Sequence, residues 1–330
     1  MARKPKRGQN RPPLLIACGL LVILLRFFPG KPATTMPDLP AADEPAAIPL
    51  PVEQALVAES VALGLPQAQP EPELPTQPVY VADTQEYHSS GAIYFKNETD
   101  YPIDLPALLA KDSPVTLGTE GVQVLIMHTH GTEAYTPSAA HPYTASGEYR
   151  TTDGDANMLR VGREIAAILN ERGISTVHST TLNDYPAYNG SYNRALKDIQ
   201  KYVEQHPTIR LVIDVHRDAI ATGNTYYKTA AVVDGQPTAQ LMFVTGTDAG
   251  GLSHPNWRDN LAFQALLHHR MNSLYPGIMR PMSIRASRFN QHIRTGSMLV
   301  EVGACGNTLE EALAAARIFA NTLADTLLQQ

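Results

Sequence analysis

The chain has 330 residues, of which 43% are hydrophobic, and it carries a formal net charge of −6 with a pI near 6.0. This acidic balance excludes the basic electrostatic footprint of a nucleic-acid-binding protein. Only two cysteines occur, Cys18 and Cys305, which excludes both a disulfide framework and cysteine-based zinc sites.

The first 29 residues predict a cytoplasmic basic tail followed by a single transmembrane anchor. Residues 2–11 carry several Lys and Arg and no acid, and an apolar run follows at 14–25. The run is short for a membrane span, but tilt and a snorkelling Arg26 can accommodate it. Positive charge before the run places the amino terminus in the cytoplasm and the remaining chain outside the membrane. We expect an uncleaved anchor; the alternative is a cleaved signal peptide.

Two non-catalytic segments are predicted to follow the anchor. Residues 30–85 are dominated by Pro, Ala, Glu and Gln, a composition that cannot bury a hydrophobic core. We therefore expect an extended extracytoplasmic linker there. Residues 86–120 are a lead-in segment, which we expect to pack on the edge of the folded domain at 121–330.

Strand and helix patterns alternate along residues 121–330. Strands are predicted at 123–127, 174–178, 211–215, 230–233, 241–244 and 297–300. Helices are predicted at 157–171, 192–205, 257–273 and from 308 onwards, the last opened by a capping box from Thr308 to Glu311. His268 and His269 fall in the third helix, where we expect them at the surface. The alternation predicts an α/β domain with a mostly parallel central sheet flanked by helices.

Polar side chains follow three of the predicted strands. His128 and His130 come after the first strand, His216 after the third and Glu301 after the last. The carboxyl ends of strands in an open α/β sheet line the crevice where ligands bind, so these groups are expected to converge. Histidine nitrogens with a carboxylate and one open position are typical of a hydrolytic zinc site. An additional unligated Glu is what such a site needs to move protons.

Each of these signals has an ordinary alternative when taken alone. A His at a strand end is commonly a hydrogen-bonded residue, and Glu301 could be a buried carboxylate held by an Arg. Their threefold repetition in one domain favours the metal site. His128 and His130 would face the same way on a strand, so we expect one to bind metal and the other to support the site or contact substrate.

Several motifs, taken together, carry a family resemblance. They are HTHGTEAY at 128–135, DVHRD at 214–218, SHPNW at 253–257, RFNQ at 288–291, and EVG at 301–303 followed by NTLEE at 307–311. With the anchor and the spacer, they resemble the stage II sporulation protein P family over about residues 90–330. The resemblance implies a membrane-anchored peptidoglycan hydrolase that acts in forespore engulfment with the sporulation proteins D and M. It implies cleavage of the amide between N-acetylmuramic acid and L-alanine and, in some members, of peptide cross-links.

The resemblance also implies a fold like that of the zinc-dependent N-acetylmuramoyl-L-alanine amidases. On their pattern His130 matches the first ligand, His216 the second and Glu301 the catalytic carboxylate. Those amidases carry a Glu just before the first helix, but residues 152–157 contain none. Glu133 is our candidate third ligand because a short loop can return its carboxylate to the same metal. Asp153 or Asp155 is the alternative, and capping of the following helix is the competing role for both.

Three further residues are candidates for substrate contact. Arg217 could clamp a carboxylate of the stem peptide or stabilise an oxyanion; its alternative is a salt bridge to Asp214 or Asp218. Asn290 and Gln291 are amides that could bind glycan or peptide backbone, with turn formation as the alternative.

Two other functions use the same sequence features. One is an extracytoplasmic scaffold that binds peptidoglycan or a partner without catalysis. The other is a zinc endopeptidase that acts only on stem peptides.

Overall fold

The computed structural model describes residues 58–62, 88–90, 93–222 and 225–329. The predicted cytoplasmic tail, the anchor and most of the linker lie outside these residues. Within the described ranges, none of the helices is both long enough and apolar enough to cross a membrane.

The strands are short and mostly buried where they form the centre of the domain. In chain order they are β1 (Ala58–Ala62), β2 (His88–Ser90), β3 (Ile93–Asn97), β4 (Val124–Met127), β5 (Thr176–His178), β6 (Leu211–Asp218), β7 (Ala221–Thr222), β8 (Thr225–Val233), β9 (Gln236–Ala239), β10 (Leu241–Gly246), β11 (Met282–Arg285) and β12 (Met298–Ala304).

Three of the five helices in the described residues begin at a side-chain cap. They are α1 (Leu105–Leu109), α2 (Met158–Glu171), α3 (Ser191–Gln205), α4 (Trp257–Leu274) and α5 (Leu309–Leu328). Asn157 caps α2 by accepting a hydrogen bond from the Leu159 amide, and Thr308 with Glu311 forms the predicted capping box of α5. A single 3-10 turn occupies Gln291–Ile293.

Eight strands form the central sheet in the order β2-β3-β11-β10-β12-β6-β4-β5. Neighbours are parallel except for the β2/β3 and β10/β12 pairs. One face packs against α2, α4 and α5, and the other packs against α3, so β4, β6, β10 and β12 are buried along their whole length. The protein therefore has the predicted α/β architecture, because these central strands are covered on both faces and begin as apolar runs.

Four features differ from the sequence-based expectations. β6 and β12 extend past the predicted strand ends at 215 and 300, so His216 and Glu301 lie within these strands and not after them. The predicted strand at 230–233 belongs to β8, which pairs with β1, β7 and β9 in a small separate sheet. The central sheet begins before residue 121, since β3 in the lead-in segment pairs parallel with β11. The expectation that His268 lies at the surface is wrong: His268 is 2% exposed, because it is on the face of α4 that packs on the sheet, whereas His269 is exposed.

Candidate functional site

Two neighbouring parallel strands bring the second histidine and the last glutamate of the predicted site together. His216 on β6 and Glu301 on β12 are register partners, and both side chains are almost fully buried. A β-bulge follows in β12, where Gly303 adopts a φ of 71°. A Cβ added at Gly303 would lie 2.9 Å from the Cβ of Ala239, so the bulge requires glycine for both conformation and space.

A buried carboxylate lies beside the His216 ring. His216 Nε2 lies 2.9 Å from Asp214 Oδ1, and Asp214 accepts hydrogen bonds from the amide and hydroxyl of Thr129 at 2.8 and 2.6 Å. Burial lowers the pKa of His216, but the charge and hydrogen bond of Asp214, together with the charges of Glu133 and Glu301, outweigh it and raise that pKa to about 10. With Nε2 turned to Asp214, Nδ1 is the nitrogen that faces the rest of the site.

Glu133 lies next to His216 on the short turn after β4. Its Oε2 is 3.7 Å from His216 Nδ1, and its Oε1 is 3.4 Å from Arg150 Nη2. The Arg217 amide also points at Oε2 over 3.4 Å. The turn thus returns the carboxylate to the histidine, as expected for a residue three positions after His130.

His130 completes this cluster from the same turn. Its ring meets the His216 ring edge to face, with ring centroids 5.3 Å apart, and it stacks on Tyr188 at 4.7 Å with an interplanar angle of 6°. His130 Nδ1 is buried without a hydrogen-bond partner among the described residues and lies 4.0 Å from Asp184 Oδ2. Burial lowers the pKa of His130 to about 2, so the ring is neutral and able to donate a lone pair.

Glu301 is a buried carboxylate with spare acceptor capacity. It is 2% exposed, and its Oε2 atom has no hydrogen-bond partner in the described part of the chain. Burial and the neighbouring charge of Asp218 raise the pKa of Glu301 to about 8. Asp218 is itself paired with Arg280 over 2.8 Å. A carboxyl group whose pKa lies near neutral pH is suited to accepting and returning a proton.

These side chains surround one cavity of about 530 Å³ at the carboxyl ends of β4, β6 and β12. Its lining residues are His130, Thr132, Glu133, Ser146, Arg150, Asp184, Tyr185, Pro186, Tyr188, His216, Arg217, Asp218, Ala219 and Glu301.

His128 lies elsewhere, although we expected it to face the same way as His130. Its Nδ1 is 2.9 Å from the Val215 carbonyl and its Nε2 is 2.9 Å from His178 Nε2, against the inner face of α2. Since β4 ends at Met127, the two histidines lie on a turn, where the alternation of a strand no longer applies. Burial lowers the pKa of His128 to about 4. The geometry therefore assigns His128 to packing of the turn.

The two alternative third ligands are exposed. Asp155 pairs with Arg163 at 2.6 Å, and Asp153 accepts a hydrogen bond from the Asp155 amide at 3.0 Å. Neither lines the cavity. The cap of α2 is Asn157, so neither aspartate caps that helix.

Arg217 lines the cavity, but its guanidinium donates hydrogen bonds to backbone carbonyls of the protein. Nε donates to the Ala134 carbonyl at 3.0 Å and Nη2 donates to the Tyr149 carbonyl at 3.1 Å. Its ion-pair partner is Glu133, at 3.8 Å, and not Asp214 or Asp218, the two partners that the sequence also allows. This buried arginine therefore fixes the loop that carries Glu133.

Asn290 and Gln291 are not brought to the cavity. Asn290 donates to the Tyr192 carbonyl at 2.9 Å from a left-handed backbone with φ of 55°. Gln291 is buried and bridges the Gly246 amide and the Val244 carbonyl at 2.9 and 2.8 Å. Both amides satisfy backbone groups, which is the turn-forming alternative considered above.

The sequence patterns missed Asp184, Arg150 and Tyr188, which come from loops. Asp184 accepts hydrogen bonds from the Thr132 amide and hydroxyl and from Arg150, the last at 2.7 Å. The Arg150 guanidinium lies over the Tyr188 ring, 4.7 Å from its centroid. All three lie on irregular segments, and such segments show no periodic sequence pattern that would have predicted these positions.

Within the described residues, no group of three or more His, Cys, Asp or Glu side chains is arranged as a metal site. The donor types nevertheless suit a metal, because the imidazoles of His130 and His216 and the carboxylate of Glu133 line one cavity, and His130 Nδ1 is buried without a hydrogen-bond partner among the described residues.

Comparison with known proteins identifies relatives of the chain. It is 27% identical over 232 residues to the stage II sporulation protein P of Bacillus subtilis (strain 168), covering 65% of this chain and 53% of that protein. The chain thus spans about half the length of this curated relative.

Among solved structures, similarity is found to the N-acetylmuramoyl-L-alanine amidase AmiC2 of Nostoc punctiforme, with 16% identity, a TM-score of 0.37 and coverage of 64% of this chain and 98% of that one. The N-acetylmuramyl-L-alanine amidase Ami1 of Mycobacterium smegmatis matches with 14% identity and a TM-score of 0.36. The match covers 64% of this chain and 98% of Ami1. The family model described as stage II sporulation protein P (SpoIIP) matches residues 69–324. Since this match covers more than half of the chain, the protein belongs to the stage II sporulation protein P family.

Proposed function

We propose that this protein is a zinc-dependent peptidoglycan hydrolase that cleaves the amide between N-acetylmuramic acid and L-alanine during engulfment of the forespore. Membership of the family supports the role in sporulation. The observation that carries the enzymatic part is the meeting of His130, Glu133, His216 and Glu301 around one cavity.

His130, Glu133 and His216 would hold the zinc ion. Imidazole nitrogens and one carboxylate are a common catalytic zinc set, which leaves a position open for water and substrate. Glu133 is favoured over Asp153 and Asp155 because it alone of the three lines the cavity. When bound, zinc would polarise the scissile carbonyl and lower the pKa of the attacking water.

Asp214 would act as a positioning residue for His216. A carboxylate that receives the second ring N–H of a ligand histidine fixes the tautomer and the ring orientation. The 2.9 Å approach of Asp214 Oδ1 to His216 Nε2 leaves Nδ1 to face Glu133 and the cavity.

Glu301 would move the protons of the reaction. Hydrolysis of an amide removes a proton from water and delivers one to the departing nitrogen, here the amino group of L-alanine. The Oε2 atom of Glu301, which has no hydrogen-bond partner among the described residues, can accept the first proton, and the protonated carboxyl can donate it to the nitrogen. The raised pKa of Glu301 suits both proton transfers, from water and to the departing nitrogen, near neutral pH.

The location and partners are also part of the proposal. The basic tail, the apolar run at 14–25 and the linker support a single-pass membrane protein with an extracytoplasmic catalytic domain. The family resemblance supports the sporulation proteins D and M as partners.

Digestion of purified peptidoglycan by the protein, with and without a chelator, tests the proposed function. Glu301→Gln is the inactive variant, and Glu120→Gln, which changes an exposed carboxylate, is the matched control. Mass spectrometry of the products should show glycan separated from intact stem peptides, with no release after chelation or in Glu301→Gln.

Two other outcomes would favour the competing functions. Release of cleaved cross-links alone would indicate an endopeptidase that acts on stem peptides. Binding without cleavage, unaffected by chelator and by addition of the partner proteins, would indicate a scaffold.

A further inference from the structure

An aromatic ring stands exposed at the rim of the cavity. Tyr185, on the loop at 183–190 between β5 and α3, is 53% exposed, and the adjacent Pro186 is exposed as well. Both line the cavity. The other large exposed hydrophobic residues of the described ranges do not line it; they are Val232, Leu252, Leu274 and Leu328.

The loop that carries Tyr185 is held by an arginine of α3. Arg194 donates to the carbonyl of Asn183 at 2.5 Å, to that of Asn189 at 3.0 Å, and also to that of Ala187. Asn183 in turn donates to the His128 carbonyl at 3.0 Å. Three charge-assisted bonds from one guanidinium fix both ends and the middle of the loop.

The same loop is tied to the turn that bears the candidate metal ligands. Asp184 accepts from the Thr132 hydroxyl at 2.5 Å and from Arg150 at 2.7 Å, and its side chain is fully buried. Tyr188 stacks on His130 with ring centroids 4.7 Å apart. Contacts on both sides of Tyr185 therefore hold this part of the loop next to the turn that carries His130.

A loop that is fixed by hydrogen bonds and exposes an aromatic ring is preorganised for binding a ligand. Burying the ring would be favourable, since it would remove apolar area from water. The polar contacts instead hold the loop while the ring of Tyr185 remains at the cavity rim. Preorganisation of this kind lowers the cost of ordering that binding would otherwise carry.

The chemistry of the proposed scissile bond indicates which ligand the ring receives. One side of that bond is an N-acetylated sugar and the other is alanine, whose side chain is a single methyl group. A pyranose presents C–H groups on its flat face and hydroxyls at its edge. The face of an aromatic ring carries negative quadrupole charge, which attracts C–H groups, while the Tyr hydroxyl remains available for a polar contact.

We propose that Tyr185, with Pro186 beside it, is the specificity subsite for the N-acetylmuramoyl ring, so that the glycan lies on the side of the cavity formed by the loop at 183–190. The assignment rests on the proposed function, since it names the part of the same substrate that this side of the cavity binds.

Binding without turnover tests the subsite. In the full-length Glu301→Gln protein loaded with zinc, calorimetry would measure Kd for a disaccharide-peptide and for the free stem peptide of the same sequence. Tyr185→Ala should weaken the disaccharide-peptide roughly tenfold and leave the free peptide unchanged. Tyr185→Trp, which keeps an aromatic face, should restore affinity to within about twofold. Leu252→Ala, which truncates another residue that is 53% exposed, should change neither Kd.

Three results would overturn the assignment: equal weakening for both ligands, no weakening for either, or no binding of the disaccharide-peptide by the Glu301→Gln parent. Circular dichroism of each variant shows whether it is folded. Failure of the proposed function has a different signature, namely tight sugar-dependent binding by a protein whose wild type releases no stem peptide.

Discussion

Glu301 and His216 face each other across the β12/β6 pair as register partners, one the candidate proton carrier and the other the candidate metal ligand. Because both belong to the central sheet, their separation is fixed by backbone pairing and does not depend on loop conformation. Side chains on strands of the scaffold are held more precisely than those on loops.

Replacing Glu301 should therefore separate catalysis from metal binding. Glu301→Gln keeps the shape of the side chain but removes its capacity to accept a proton, so we expect kcat to fall roughly 10²- to 10⁴-fold. Zinc affinity should stay within about twofold, since Glu301 is not one of the proposed ligands. Steady-state release of stem peptides and a competitive chelator titration would measure the two quantities. Loss of zinc along with activity would assign Glu301 to the metal.

Asp214 should control the affinity for zinc through His216. Asp214→Asn keeps the size of the side chain but weakens the contact to His216 Nε2, so the apparent zinc Kd should rise roughly 10- to 100-fold. Asp155→Asn, an exposed position paired with Arg163, is the control and should leave Kd unchanged. If Asp214→Asn bound zinc as tightly as wild type, the positioning role would be refuted.

The third ligand can be assigned by a parallel set of variants. Glu133→Gln should weaken zinc binding at least tenfold, since it removes a charged donor, whereas Asp153→Asn should have no effect. A Co²⁺-substituted protein gives an independent readout, because the d–d spectrum changes when a ligand is lost. A spectral change in Asp153→Asn with none in Glu133→Gln would reverse the assignment.

The central sheet and the positions of His130, His216 and Glu301 were predictable because they depend on short-range patterns. Apolar runs mark strands buried on both faces, and the polar residues at their ends must lie at the same edge of a parallel sheet. The expectation that His128 and His130 face the same way was wrong, since β4 ends at Met127, as predicted, and strand alternation does not extend to the two histidines that follow it.

The rest of the cavity could not be predicted because it is built by loops. Asp184 and Arg150 meet at 2.7 Å although 34 residues separate them, and each belongs to an irregular segment. Likewise, the pairing of Asn290 and Gln291 with backbone groups depends on a left-handed turn at Phe289 and Asn290. No periodicity records such contacts, and only the assembled fold reveals them.

Gly162 in α2 should be intolerant of alanine. A Gly-to-Ala change inside a helix ordinarily stabilises it by about 1 kcal/mol. Here the added Cβ would lie 2.4 Å from His128 Nε2 and 2.7 Å from His178 Nε2, so the helix or the histidine pair must shift. We expect Gly162→Ala to lower the free energy of unfolding by about 1–3 kcal/mol in urea titrations.

Gly147→Ala is the control for that change, since its new Cβ meets nothing closer than 3.7 Å. It should alter stability by less than about 0.5 kcal/mol. A Gly162→Ala protein as stable as wild type would show that the turn after β4 is free to adapt.

His268 should make the stability of the domain depend on pH. Burial lowers the pKa of His268 to about 3, and its Nδ1 has no hydrogen-bond partner within the residues that the structure describes. The unfolded chain gains a proton near pH 6.5, whereas the folded chain gains it only near pH 3. The contribution to stability is therefore complete above pH 6.5 and is lost as the pH falls from 6.5 towards 3, at about 1.4 kcal/mol per pH unit.

His268→Leu removes this titration from both states and keeps the position apolar. The slope of unfolding free energy against pH, measured by urea denaturation between pH 4 and 6, should decrease by about 1.4 kcal/mol per pH unit. His269→Leu, which alters the exposed neighbour, is the control and should leave the slope at the wild-type value. Equal slopes in wild type and His268→Leu would mean that α4 opens to admit the proton without unfolding, and that His268 is not held neutral by the packing of α4 on the sheet.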